Sequence, residues 1–183
     1  QALMAKVAKQ VNDTAIVSTN TSGIDVDAIV EGLPDGFRSR WLGTHFFNPA
    51  RYMKLLELIP GKDTDPAVTQ RVADLGRDLL GKGIVFAKNT PNFIANRIGA
   101  YGMMYTVNRM LEDGLTIAQV DAILGKPLGR PKTAVFKTAD MVGIDTLAHV
   151  AKNIYPAIPD DPQREAYRVP EFISKMIEAG RLG

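Results

Sequence analysis

A histidine and a glutamate occupy consecutive short apolar runs in the segment THFFNPARYMKLLELI, residues 44–59. An imidazole has an unperturbed pKa near ~6.5, so its neutral form can take a proton at physiological pH. A carboxylate on its second nitrogen fixes the tautomer and stabilises the cation that results. Glu57 is flanked by Leu55, Leu56, Leu58 and Ile59, surroundings in which an unpaired carboxylate is costly. Five residues, Pro49 to Met53, join the two runs, so if these are strands lying side by side, His45 and Glu57 can meet as base and orienting acid. The same spacing also allows a core histidine satisfied by backbone and a glutamate bonded to Arg51 or Lys54, and the residues alone leave both readings open.

Other polar residues are weaker signals. The segment Ser18–Ser22 offers hydroxyls and amides at the end of an expected strand, where open α/β sheets bind ligands, although such a run can equally cap the following turn. Asn48 falls on the opposite strand face from His45 unless Pro49 breaks the strand. Asn96 lies in the otherwise apolar stretch PNFIANRIGAYG. Gly99 and Gly102 in the same stretch suggest close packing against another backbone, of this chain or a partner. His149 has no accompanying motif, and Met103, Met104 and Met110 read as packing residues.

The elements that must position these groups fall into two textures. Up to Lys88 the pattern is mixed: an amphipathic helix through Leu3, Met4, Val7 and Val11; a strand at Ala15–Asn20; a short helix at Ile24–Leu33; and strands ending near Asn48 and Ile59. A helix follows, begun by Asp65 and Pro66 and ended at Gly81, with Val68, Val72, Leu75 and Leu79 as its apolar face, and then a strand at Gly83–Lys88. From residue 89 the pattern is helical. A long helix runs from Thr90 and Pro91 to about Glu112, the next starts with a Thr116–Gln119 capping box, a third spans about Ala139–Asn153, and the last covers Glu171–Ala179. The sequence therefore predicts an α/β region over 1–88 and an all-α region over 89–183.

Composition narrows the class of function. The chain has 183 residues, 45% hydrophobic and 23% charged, with a formal charge of +2, which fits a globular protein and disfavours nucleic acid as a partner. It contains no cysteine, which excludes disulfides and cysteine metal sites and fits a cytoplasmic setting. No apolar run is long enough to span a bilayer.

Taken in order, NTSGI (20–24), GTHFFNPARYMKLLELI (43–59), NTPNFIANRI (89–98) and ADMVGIDT (139–146) resemble the NAD-dependent L-3-hydroxyacyl-CoA dehydrogenase family of fatty-acid β-oxidation. The resemblance covers nearly the whole chain. It implies the C-terminal part of a Rossmann-type NAD-binding domain followed by the family's helical C-terminal domain. By motif, His45 matches the general base and Glu57 its orienting acid. Ser22 matches a serine touching substrate and cofactor, Asn20 and Asn48 match cofactor-binding positions, and Asn96 matches an asparagine that positions the reacting group. NAD is the implied cofactor and a 3-hydroxyacyl-CoA the implied substrate, with a homodimer through the helical domain and a fused enoyl-CoA hydratase as further expectations. Alternatives are a dehydrogenase of a non-CoA hydroxy acid and a non-catalytic assembly module.

Two departures from the family pattern stand out. Asn92 occupies a position where the family commonly has glycine. No Gly-x-Gly-x-x-Gly occurs among these residues, so the sequence reads as a piece of a longer protein, expected to be inactive in isolation.

Overall fold

The computed structural model describes residues 1–183, which divide into two compact units, Gln1–Ile94 and Ala95–Gly183. The first is built on a four-stranded sheet of β1 (Val17–Thr19), β2 (Trp41–Phe46), β3 (Leu55–Pro60) and β4 (Gly83–Phe86), hydrogen-bonded in that order. β1 and β2 are parallel, β2 and β3 antiparallel, and β3 and β4 parallel. This is a Rossmann-like α/β arrangement with one reversed pair.

Alternation along β2 and β3 separates two apolar layers. Leu56 and Leu58 point to one face and pack with Ala73, Val72, Ile84 and Phe46. Ile59 points to the other and packs with Val26, Ala87 and Phe93. Gly43 lies opposite Ile59, and a Cβ there would approach Ile59 Cβ to 3.0 Å and Val26 Cγ1 to 3.2 Å. Only glycine lets α2 (Val26–Ile29) settle that close to the sheet.

The remaining helices of this unit are α1 (Ala2–Ala8), α3 (Asp35–Arg38) and α4 (Pro66–Asp74). The single turn α3 is not apparent in the pattern, where Pro34–Gly36 reads as a plain connection. Asp65 caps α4 by accepting the Ala67 N–H at 2.8 Å, and Pro66 is its first residue. The regular helix stops earlier than its apolar spacing implies, because residues 75–79 form a π turn. That turn rotates the following side chains off the α4 stripe, leaving Leu75 and Leu79 exposed to solvent rather than packed.

The second unit contains α5 (Ala95–Glu112), α6 (Ile117–Ile123), α7 (Phe136–Val142), α8 (Ile144–Ala157) and α9 (Glu171–Glu178). α5 starts later than expected because Asn92 and Phe93 adopt left-handed backbone, with φ of 59° and 52°, which an α-helix cannot contain. The capping box forms: Thr116 Oγ1 accepts the Gln119 N–H and Gln119 Oε1 accepts the Thr116 N–H. The single helix expected over 139–153 is two, broken at Gly143 with φ of 99°. Asp121 anchors the start of α7 by accepting the N–H groups of Val135, Phe136 and Lys137.

The core of this unit comprises Val107, Met110, Val120, Val135, Phe136, Ile144, Ala148 and Ile173. Met104 is fully buried beside Ala139, Leu147 and Ala151, a burial that stabilises by about 1.5–3 kcal/mol. Gly99 and Gly102 do not serve close packing within the chain, since a Cβ at either would meet nothing within 4 Å. No helix is long and apolar enough to cross a membrane.

Candidate active site

The ladder between β2 and β3 pairs His45 directly with Glu57. Residues so opposed have Cβ atoms about 4.5–5.5 Å apart on one face of the sheet, within reach for a side-chain hydrogen bond. His45 Nδ1 lies 2.7 Å from Glu57 Oε2. The imidazole is 3% exposed and the glutamate 0%, so the carboxylate belongs to the imidazole and not to Arg51 or Lys54. Its other oxygen, Oε1, accepts the backbone N–H of Ile94 at 3.2 Å. A buried acid is tolerable when its lone pairs are used in this way.

The carboxylate faces Nδ1, so Nδ1 carries the proton and Nε2 presents a lone pair. At that nitrogen is Ser22 Oγ, 3.0 Å away, whose hydroxyl donates. Phe47 and Phe93 meet the imidazole edge-on, with ring centroids at 4.5 and 5.6 Å, and hold its plane. The arrangement is a carboxylate, an oriented imidazole and a hydroxyl in sequence, with the basic nitrogen directed at the turn after β1. Chemically it can withdraw a proton from an oxygen placed where the Ser22 hydroxyl now sits.

Three further contacts hold that turn. Asn20 Oδ1 accepts the Phe46 N–H at 2.9 Å, tying the exit of β1 to the exit of β2. Thr44 Oγ1 donates to Ser18 Oγ at 2.9 Å. Asn89 bridges the other side: its Oδ1 accepts the Val26 N–H, while Nδ2 donates to Asp25 Oδ1 and Asp27 Oδ2. The hydrogen bond from Asn89 holds the Asp25 carboxyl below its usual range, helped by the Asp27 and Ala28 N–H groups and opposed by burial. Sequence reasoning gives Asn89 no role, and only its place beside the Thr-Pro pair marks it as a loop residue worth attention.

The sequence-derived candidates of the first unit do not all converge. Ser22, His45 and Glu57 form one hydrogen-bonded relay. Asn20 borders it, with its carbonyl oxygen engaged by backbone. Asn48 lies beyond the end of β2, where it precedes the cis peptide bond to Pro49. Asn96 is half-buried in the first turn of α5, in the helical unit. No group of three or more His, Cys, Asp and Glu side chains is arranged to hold a metal. A groove of about 470 Å³ opens on the sheet face opposite His45, bordered by Ser18, Thr44, Phe46, Leu56 and Gly76.

Comparison with known proteins gives this geometry its context. Residues 1–90 match the family described as 3-hydroxyacyl-CoA dehydrogenase, NAD binding domain, and residues 93–183 match 3-hydroxyacyl-CoA dehydrogenase, C-terminal domain. A Bacillus subtilis protein named "Probable 3-hydroxyacyl-CoA dehydrogenase" is 53% identical over 169 residues, covering 92% of this chain and 21% of that protein. A Deinococcus radiodurans protein of the same name is 44% identical over 181 residues, 99% of this chain and 51% of its own length. A Rickettsia prowazekii relative, named for a fatty acid oxidation complex trifunctional enzyme, is 32% identical over 99% of this chain and 25% of its own length. Among solved structures, (S)-3-hydroxybutyryl-CoA dehydrogenase from Ralstonia eutropha superposes with a TM-score of 0.87 at 28% identity, over all of this chain and 62% of that one. The chain thus spans between about a fifth and a half of the length of these curated relatives. With both family domains matched in order across almost every residue, the chain belongs to the 3-hydroxyacyl-CoA dehydrogenase family.

Proposed function

We propose that these residues supply the proton-handling centre of an NAD-dependent dehydrogenase that oxidises L-3-hydroxyacyl-CoA to 3-ketoacyl-CoA. The observation that carries the reading is the orientation of His45, with Nδ1 on a buried carboxylate and Nε2 on a hydroxyl. Nε2 takes the proton of the substrate's C3 hydroxyl. Nδ1–H remains on Glu57, whose charge stabilises the imidazolium. Ser22 Oγ hydrogen-bonds the C3 oxygen as that oxygen becomes a carbonyl. Asn96 and Asn48 are assigned, on their motif positions, to the reacting group and the cofactor respectively.

NAD, when bound, would supply the acceptor for the hydride of C3. The hydroxyls and amides at the carboxyl end of β1, Asn20 to Ser22, suit the polar nicotinamide end of such a cofactor, at the place where open α/β sheets bind ligands. The fit supports NAD without assigning contacts to its pyrophosphate.

The helical unit is proposed to make a homodimer. Ile98 and Tyr105 are exposed along α5 on either side of Gly102, a spacing that places all three on one stripe. Sedimentation showing only monomer at high concentration would remove this part. The trifunctional relative supports fusion to further fatty acid oxidation activities, of which an enoyl-CoA hydratase is the one proposed, and the cysteine-free sequence fits a cytoplasmic setting.

The decisive assay measures NADH formation by the full natural chain carrying these residues, with an L-3-hydroxyacyl-CoA and with the free hydroxy acid. Turnover of the thioester that vanishes in His45→Ala is expected. Preference for the free acid would favour the non-CoA alternative, and dimerisation without any turnover would favour an assembly module.

A further inference from the structure

Asn92 is one of the few buried polar side chains, 6% exposed, and its carboxamide makes no hydrogen bond within the protein. A buried amide in that condition is uncommon, because desolvation without a partner costs free energy. Its polar atoms are not sealed from solvent. The carboxamide lies over the α-carbon of Gly23: a Cβ built there would meet Oδ1 at 3.1 Å, Cγ at 3.7 Å and Nδ2 at 3.8 Å. Gly23 directly follows Ser22, whose hydroxyl is on His45 Nε2, and the residue after Asn92 is Phe93, which packs on the same imidazole. The amide therefore stands one residue along the turn from the point of proton transfer.

We infer that Asn92 is a substrate-contacting, specificity-determining residue whose amide N–H donates to the thioester carbonyl of the acyl-CoA. This rests on the proposed dehydrogenase reading. With the C3 oxygen within hydrogen-bond reach of both His45 Nε2 and Ser22 Oγ, the next polar atom of a 3-hydroxyacyl group is the thioester oxygen, two carbons away. A second donor beside Ser22 is where a group so close to the first would be recognised. The left-handed backbone, φ 59°, is tolerated by asparagine better than by most non-glycine residues, so the side chain is delivered at little conformational cost. Engagement of the carbonyl satisfies the amide that is otherwise left without a partner.

The test uses the full natural chain and two ketone substrates reduced with NADH: acetoacetyl-CoA and its thioether analogue 3-oxobutyl-CoA, which lacks the thioester carbonyl. Asn92→Gly frees the backbone and removes the amide, and Asn92→Asp keeps the shape but loses the N–H donor. The expected result is a preference for the thioester in wild type that falls about tenfold in both variants, mainly through KM, with thioether turnover little changed. An unchanged ratio in Asn92→Gly, or an Asp variant that keeps the wild-type preference, overturns the inference while leaving the dehydrogenase reading in place. Absence of wild-type turnover with either substrate sinks that reading and this inference together.

Discussion

The two units bury different kinds of side chain. Thr44, His45, Glu57, Thr69 and Asn92, the buried polar and charged residues, all lie within residues 1–94. The helical unit buries mainly apolar side chains, together with Tyr167, whose hydroxyl donates to the Arg97 carbonyl. Its ion pairs, such as Arg97–Asp161 and Arg109–Asp113, are partly or well exposed and worth correspondingly little. Stability alone favours the second solution, because replacing a buried ionic or polar pair by well-packed apolar groups is often neutral or favourable. The first unit instead buries the hydrogen-bonded His45–Glu57 pair, to which the proposed proton transfer is assigned.

The contrast is most sharply tested at Glu57. Glu57→Gln preserves volume but cannot hold the imidazole in the same charge state, and kcat of the full natural chain should fall by about 10²- to 10⁴-fold. Steady-state kinetics with a folded-state check by circular dichroism would decide it, and near-normal kcat would mean the carboxylate is only structural. Next in size is a double-mutant cycle. His45→Phe strands a carboxylate in the core and should cost about 3–5 kcal/mol in urea unfolding. Adding Glu57→Leu removes both partners and should recover most of that loss with no recovery of activity.

Smaller effects compare one tie from each unit. Asn89→Ala removes three hydrogen bonds around the turn that carries Ser22 and should destabilise the first unit by about 1–3 kcal/mol. Thr116→Ala breaks the capping box of α6 for about 1 kcal/mol and should leave kcat untouched, whereas Asn89→Ala should lower it. The smallest effect concerns pH. The Asp25 carboxyl is held below its usual 3.8 in the folded chain, so its contribution is complete above that value and is lost as pH falls through the lower folded one. Asp25→Asn should therefore lower the melting temperature slightly at neutral pH and flatten its fall on acidification, the two proteins converging at the acid end of a profile of melting temperature against pH.

How much of this could be read from the residues differs between the same regions. Spacing alone leaves the pairing of His45 with Glu57 open beside a structural reading of both residues, and only the motif resemblance favours it; once β2 and β3 are in register, side-chain alternation fixes the shared face. The capping box was accessible because its signature is local. The late start of α5 was not: Thr-Pro is a good helix opening, and nothing local reveals that Asn92 and Phe93 take left-handed backbone. The break at Gly143 and the π turn at residues 75–79 have the same origin, since both interrupt otherwise continuous helical periodicity through backbone geometry. Asn89 was missed because its partners, Asp25, Val26 and Asp27, are more than sixty positions away.

The ladder joining β2 to β3 also acts as an indexing device. The imidazole and its acid are carried on the same rung, so a slip of one residue in either strand would send one of them through the sheet to the α4 side. Intermediate misalignments have no hydrogen-bonded counterpart. Damage to these strands should therefore divide the population into fully competent and wholly silent molecules, without a graded loss of rate in each.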